Sequence, residues 1–199
     1  YEVTANQAYS IGEYRICVDN QELADIAMNE KTSLVQEGMQ FDADLLNQER
    51  KRVASVMRRR GYYYFDEELL YYQADSAKHE GKVDVEMKLI DSLNIVEGYD
   101  KIFRKYRIAK VYFHMDYDTT RISQSEEMYS NSVGNYVFTW GGKEFLREKV
   151  LIRNCPIRPG DLYSEYLLER AYVRLNKLAP VKYVDINFEP VYNASSNAD

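Results

Sequence analysis

His79 and His114 are the only imidazoles in the chain, and they are the natural place to look for chemistry. His114 stands near two carboxylates, Asp116 and Asp118. A metal or catalytic centre needs ligands that converge, or a base held by an orienting partner. In the alternating stretch VYFHM, His114 points away from Val111, Phe113 and Met115 and therefore outward. His79 falls in a predicted turn. Both read as solvated side chains, with no metal and no cofactor. Six basic residues, Arg50, Lys51, Arg52, Arg58, Arg59 and Arg60, lie in one predicted helix. They could meet anionic headgroups or an acidic partner. The plainer reading is a solvated face whose terminal arginines suit the negative end of the helix. The run Tyr62, Tyr63, Tyr64, Phe65 could stack on a ring, but strand residues packing a small core account for it. Cys17 and Cys155 are too few for a disulfide framework and read as free and structural. There is no glycine-rich phosphate loop, zinc spacing or serine elbow. An enzyme is not expected.

The whole chain agrees with that. Its 199 residues are 45% hydrophobic and 29% charged, a balance that folds. A net charge of −6 speaks against nucleic acid. No stretch approaches the roughly 18 apolar residues of a membrane helix. Tyrosine is abundant, at 19 residues, and suits half-buried strands where the ring packs and the hydroxyl stays wet.

The elements that must position any site come as a repeat. The string YRI opens strand-like segments at Tyr14 and at Tyr106. GMQFDADLLNQER from Gly38 is echoed by GDLYSEYLLER from Gly160. In each, an aromatic (Phe41 or Tyr163) precedes a helix cap (Asp42 or Ser164) and a Leu-Leu pair (Leu45–Leu46 or Leu167–Leu168). The cap accepts from orphan first-turn N–H groups, and the aromatic and second leucine form a staple. The second unit carries about 30 extra residues before this helix, ending in the strand-like YVFTW.

Both helices are amphipathic. Leu46, Val53 and Met57, with Ala54, stripe the first, which ends at Gly61. Leu168, Ala171, Tyr172, Leu175 and Leu178 stripe the second. An earlier helix near Asn20 is marked by Leu23, Ile26, Ala27 and Leu34. Its counterpart runs from about residue 143 to 153, with Phe145, Leu146 and Val150 in the core. After the first long helix, Val83, Val85, Met87 and Leu89 alternate with Asp84, Glu86 and Lys88. That is a strand with one wet face, paired through a turn at residues 78–81 with the run before it.

The order β-α-α-β-β in tandem, with Gly38, RRRGYYYF and IRPGDLYS, resembles the POTRA modules of outer-membrane β-barrel assembly factors. The phrase LNKLAPVKYVDINFEP is similar to the Bacteroidetes type of the BamA/TamA-like surface-antigen family. The resemblance implies an α+β chain of two modules, each a three-stranded sheet backed by two helices. Residues 1–8 would be a remnant strand of a preceding module. Residues 9–91 form one module, 92–105 a linker, 106–192 an incomplete module with an insertion at about 117–142, and 193–199 a tail. The second module would lack its last strand, so another must fill its sheet: YVFTW, or YEVTA from a second copy in a strand-exchanged dimer.

The resemblance implies a protein-binding arm on the periplasmic face of the outer membrane. Its partners would be unfolded outer-membrane proteins, neighbouring POTRA modules, a C-terminal membrane barrel and assembly lipoproteins. The family binds by strand addition beside the strand after the second helix. That maps to Leu69, Leu70, Tyr71 and Tyr72 and to Val184, Asp185, Ile186 and Phe188, and a proline at Tyr71 should remove a ladder donor. A rigid spacer and a ligand- or peptidoglycan-binding module are the competing readings.

Overall fold

The structure is a computed structural model and describes residues 8–29, 32–77, 80–90, 96–115, 128–141 and 146–191. Residues 1–7 of the expected remnant strand 1–8, His79, Asp116, Asp118, Phe145 and the tail lie outside the described residues. Two compact units divide the chain, residues 1–104 and 105–199.

In the first unit, β1 (Ser10–Cys17), β2 (Leu70–Asp75) and β3 (Lys82–Leu89) form a sheet in the order β1-β3-β2. β3 is central, parallel to β1 and antiparallel to β2. Its alternation has the expected outcome: Val83, Val85 and Met87 are buried, and Leu89 packs at the margin. Helices α1 (Gln21–Ala27) and α2 (Ala43–Arg59) supply the other half of the core. Leu23, Ile26, Ala27, Val53, Ala54 and Met57 meet Leu70 and Met87, and each large side chain buried contributes about 1.5–3 kcal/mol. Asn20 caps α1 by accepting from Leu23 N–H, and Asp42 caps α2 by accepting from Asp44 N–H. Gly61 ends α2 at φ 106°, a conformation that favours glycine. Leu34 is a correction: α1 has ended before it, and its side chain is exposed. The run from Tyr62 to Phe65 is a turn, not a strand, although Tyr62 and Phe65 do enter the core. The stretch that reads as a linker holds α3 (Val96–Ile102), followed by Phe103, whose ring meets Phe65 at 5.9 Å.

The second unit reaches the same kind of sheet by another chain order. β4 (Val111–Met115), β5 (Met128–Val133) and β6 (Tyr136–Gly141) are arranged β4-β6-β5. The stretch expected to be an insertion supplies β6 as the central strand and β5 as its hairpin partner. Gly134, at φ 59°, makes the two-residue turn between them. Phe138 is fully buried and stacks on Phe113 at 5.2 Å. Helices α4 (Glu148–Asn154) and α5 (Glu165–Leu175) follow, adding Leu151, Ala171 and Leu175 to this core beside Leu146. α4 begins later than the sequence pattern suggests, and Val150 is half-buried. Ser164 precedes α5 in extended conformation but makes no side-chain cap bond.

The repeat is real at the level of single hydrogen bonds, with a corrected register. Ile11 N–H donates to Met39 O, Gly38 N–H to Ile11 O and Phe41 N–H to Tyr9 O. Ile108 N–H donates to Asp161 O, Gly160 N–H to Ile108 O and Tyr163 N–H to Tyr106 O. Tyr106 is therefore equivalent to Tyr9, not to Tyr14; the shared YRI string is a coincidence of composition. The hairpins differ in where they join. Core-facing Tyr14 turns its N–H away from β3, to Glu37 Oε1 at 3.4 Å. Core-facing Val111 turns its N–H toward the hairpin, to Asn135 O at 3.0 Å. Side-chain face and backbone direction are locked together along a strand, so β6 joins β4 on the edge opposite to the one β3 uses on β1.

Candidate strand-addition edge

β2 is an edge strand of the first sheet. Which of its backbone groups face outward follows from one bond beyond its end: Ile90 N–H donates to Leu69 O at 2.8 Å. In an antiparallel pair, hydrogen-bonded and non-hydrogen-bonded positions alternate. With Leu69 and Ile90 bonded, Tyr71, Gln73 and Asp75 bond to Lys88, Glu86 and Asp84. Leu70, Tyr72 and Ala74 then direct N–H and C=O away from the sheet. Leu70 N–H is taken by Glu67 O, in the 3-10 turn Glu67–Leu69 that leads into the strand. The outward ladder therefore runs from Leu70 C=O through Tyr72 to Ala74, and no strand among the described residues pairs with it.

Side chains divide the opposite way. Leu70 is buried and Tyr72 half-buried under the helices, while Tyr71 and Gln73 face outward. Tyr72 meets Tyr14 at 6.4 Å between ring centres. Neither hydroxyl finds a hydrogen-bond partner among the described residues. Burial pushes the Tyr14 phenol up to about 12 and raises that of Tyr72 further.

The other candidate segment is placed differently. Val184, Asp185, Ile186 and Phe188 form no strand and pair with neither β4, β5 nor β6. Val184, Ile186 and Phe188 still pack on the core, and the Phe188 ring meets Tyr163 at 5.2 Å. Ile186 N–H donates to Tyr172 Oη at 3.1 Å. Of the sequence-derived edge, the structure brings together Leu70, Tyr71 and Tyr72 as strand, with Leu69 in the turn before them.

The residues that invited chemistry are engaged in structure. Arg50 donates to Glu67 O, Arg52 pairs with Glu49, Arg58 with Glu67 and Arg60 with Glu22. His114 is exposed, with Nδ1 2.6 Å from Thr139 Oγ1. Among the described residues no group of three or more His, Cys, Asp or Glu could hold a metal ion. Cys17 is exposed, Cys155 is buried, and both are free. The turn from Tyr63 to Glu67 lines, with Arg58, an open cleft of about 410 Å³. Glu49 is the buried charge that sequence reasoning missed; its spacing from Arg52 was a visible signal, but its depth was not.

A BamA structure from Haemophilus ducreyi lacking POTRA domains 1–3 superposes on 94% of the chain with a TM-score of 0.59 and 15% identity. The chain has the fold of tandem POTRA modules. It spans 27% of that structure's length. POTRA domains 3–5 of Haemophilus influenzae BamA match 98% of the chain and 96% of their own, with 10% identity and a TM-score of 0.35. The N-terminal domain of Omp85 from the cyanobacterium Thermosynechococcus elongatus matches 94% and 93%, with 11% identity and a TM-score of 0.29. The last two scores are too low to add to the first. No family model and no curated protein sequence matches the chain. In the second unit the hairpin precedes the helices.

Proposed function

We propose that these POTRA modules belong to the periplasmic arm of an outer-membrane β-barrel assembly factor and hold unfolded outer-membrane proteins by strand addition at β2. The observation that carries this is the outward ladder of Leu70, Tyr72 and Ala74 on an edge strand. Backbone pairing supplies affinity with little dependence on sequence, which suits a factor with many clients. Binding is weak, because a short edge buries little area and ordering the client costs several kcal/mol. Neighbouring modules, a membrane barrel and assembly lipoproteins are the partners this reading brings with it. The modules work as a non-enzymatic scaffold.

Ala74 is the position for the test. Its side chain is exposed and its N–H faces outward, so Ala74→Pro removes one ladder donor and leaves the core intact. Tyr71 is the wrong place for proline, because its N–H bonds to β3 and the sheet itself would break. With the fold verified by circular dichroism, Ala74→Pro should weaken binding of a labelled barrel-strand peptide severalfold. Unchanged binding would rule out this edge.

A further inference from the structure

We infer that the β2 edge prefers extended segments that carry an aromatic side chain in the register opposite Tyr71. This rests on the strand-addition reading above and deepens it. An antiparallel strand added to β2 would form its hydrogen-bonded pair with Tyr72 and place a non-hydrogen-bonded pair at Tyr71. Side chains come closest in the non-hydrogen-bonded pair, about 4.5 Å between Cα atoms. Tyr71 is the residue that meets the newcomer there, 39% exposed on the face away from the helices. Its neighbours on that face are already engaged. Glu86 lies 3.0 Å from Lys88 Nζ and 3.7 Å from Arg15 Nη1, and Lys88 Nζ donates to Gln73 Oε1 at 2.6 Å. Asp75 Oδ1 accepts from Ala77 N–H at the strand end. A charged client side chain finds few open partners here, whereas an aromatic one gains the Tyr71 ring.

Cross-strand aromatic pairs of this kind strengthen pairing by about two- to fivefold. The occupant is therefore an unfolded segment of alternating polar and apolar residues that carries an aromatic on its apolar face, as a membrane β-barrel strand does where it reaches an aromatic girdle.

The test uses two fluorescent ten-residue peptides with the same polar residues at alternate positions. One carries Phe at the remaining positions and the other Ala. Anisotropy titrations of the full 199-residue chain should give the Phe peptide a two- to fivefold lower Kd. Tyr71→Ala should abolish that ratio and leave the Ala peptide unaffected, while Tyr71→Phe should keep it. Ala74→Pro should weaken both peptides. Equal affinities for the two peptides, or a ratio that survives Tyr71→Ala, overturns the aromatic preference and leaves strand addition standing. If neither peptide binds, or Ala74→Pro changes neither, strand addition at β2 fails and the preference fails with it.

Discussion

The guanidinium of Arg52 grips the carboxylate of Glu49 with two parallel bonds, Nε to Oε2 and Nη2 to Oε1, each 2.7 Å long. Glu49 is fully buried, and its oxygens also accept from Ser33 Oγ and Leu34 N–H, each at 3.0 Å. Arg52 reaches on to Ile26 O and Thr32 Oγ1. One charge pair on α2 thus fastens the connection that follows α1. Such a pair is weak evidence for net stability, but breaking it strands a buried charge.

Arg52→Ala, which leaves the buried Glu49 carboxylate without its cation, should therefore destabilise the first unit by about 3–5 kcal/mol. Urea unfolding followed by circular dichroism reads this directly. A loss below about 1 kcal/mol would mean that water reaches the orphaned partners.

Alkaline pH should weaken the same unit through Tyr14 and Tyr72. Both phenols stay protonated when folded, whereas the unfolded chain ionises them from pH 10.0. Their contribution is complete below pH 10.0 and is lost as pH rises toward about 12. The urea midpoint should fall across that window, and the double variant Tyr14→Phe, Tyr72→Phe should fall less. Because neither hydroxyl has a partner, the variant should be near neutral at pH 7. An identical pH slope in the variant would remove the two phenols as the cause.

Gly160 and Gly38 close equivalent turns with φ of 91° and 81°. Nothing lies within 4 Å of a Cβ built at either, so the cost of Gly→Ala is conformational alone. Each substitution should destabilise its unit by about 1 kcal/mol, seen as a shift of the urea midpoint. A cost of several kcal/mol would point instead to a disturbed turn.

The two thiols should separate cleanly toward a maleimide at pH 7.5. Cys17 is exposed, whereas Cys155 is buried, donates to Ile157 O and has its thiol pushed up by burial. Labelling of Cys155 should be roughly tenfold slower or more, and denaturant should erase the difference. Equal rates in the folded chain would show that the second core opens readily.

Much of this architecture could be read from residue order. Val83, Val85 and Met87 alternate because β3 has one wet face, and Leu46, Val53 and Met57 recur because α2 buries one stripe. Gly38 and Gly160 announced the repeat, because both turns need a left-handed residue. The register of the repeat was less legible. YRI at Tyr14 and Tyr106 matched as letters, while the hydrogen bonds of Tyr9 and Tyr106 mark the true equivalence. Val184, Ile186 and Phe188 alternate as a strand would, and alternation reports a half-buried extended segment without saying whether a neighbour pairs with it. The direction of the backbone groups at Tyr71 and Ala74 was not readable, because it is set by pairing with β3.

The placement of the second hairpin also sets how each sheet can come into being. Pairing β1 with β3 joins Ser10 to Lys82, so both helices lie inside the loop that must close first. Pairing β4 with β6 joins Val111 to Tyr136, and no helix lies between them among the described residues. Loop closure costs less entropy over shorter separations, and sheets with local contacts form faster. During synthesis the second sheet can zip up from the turn at Gly134 before α4 and α5 have been made. The first must wait for its whole length, so the two modules fold under different kinetic control.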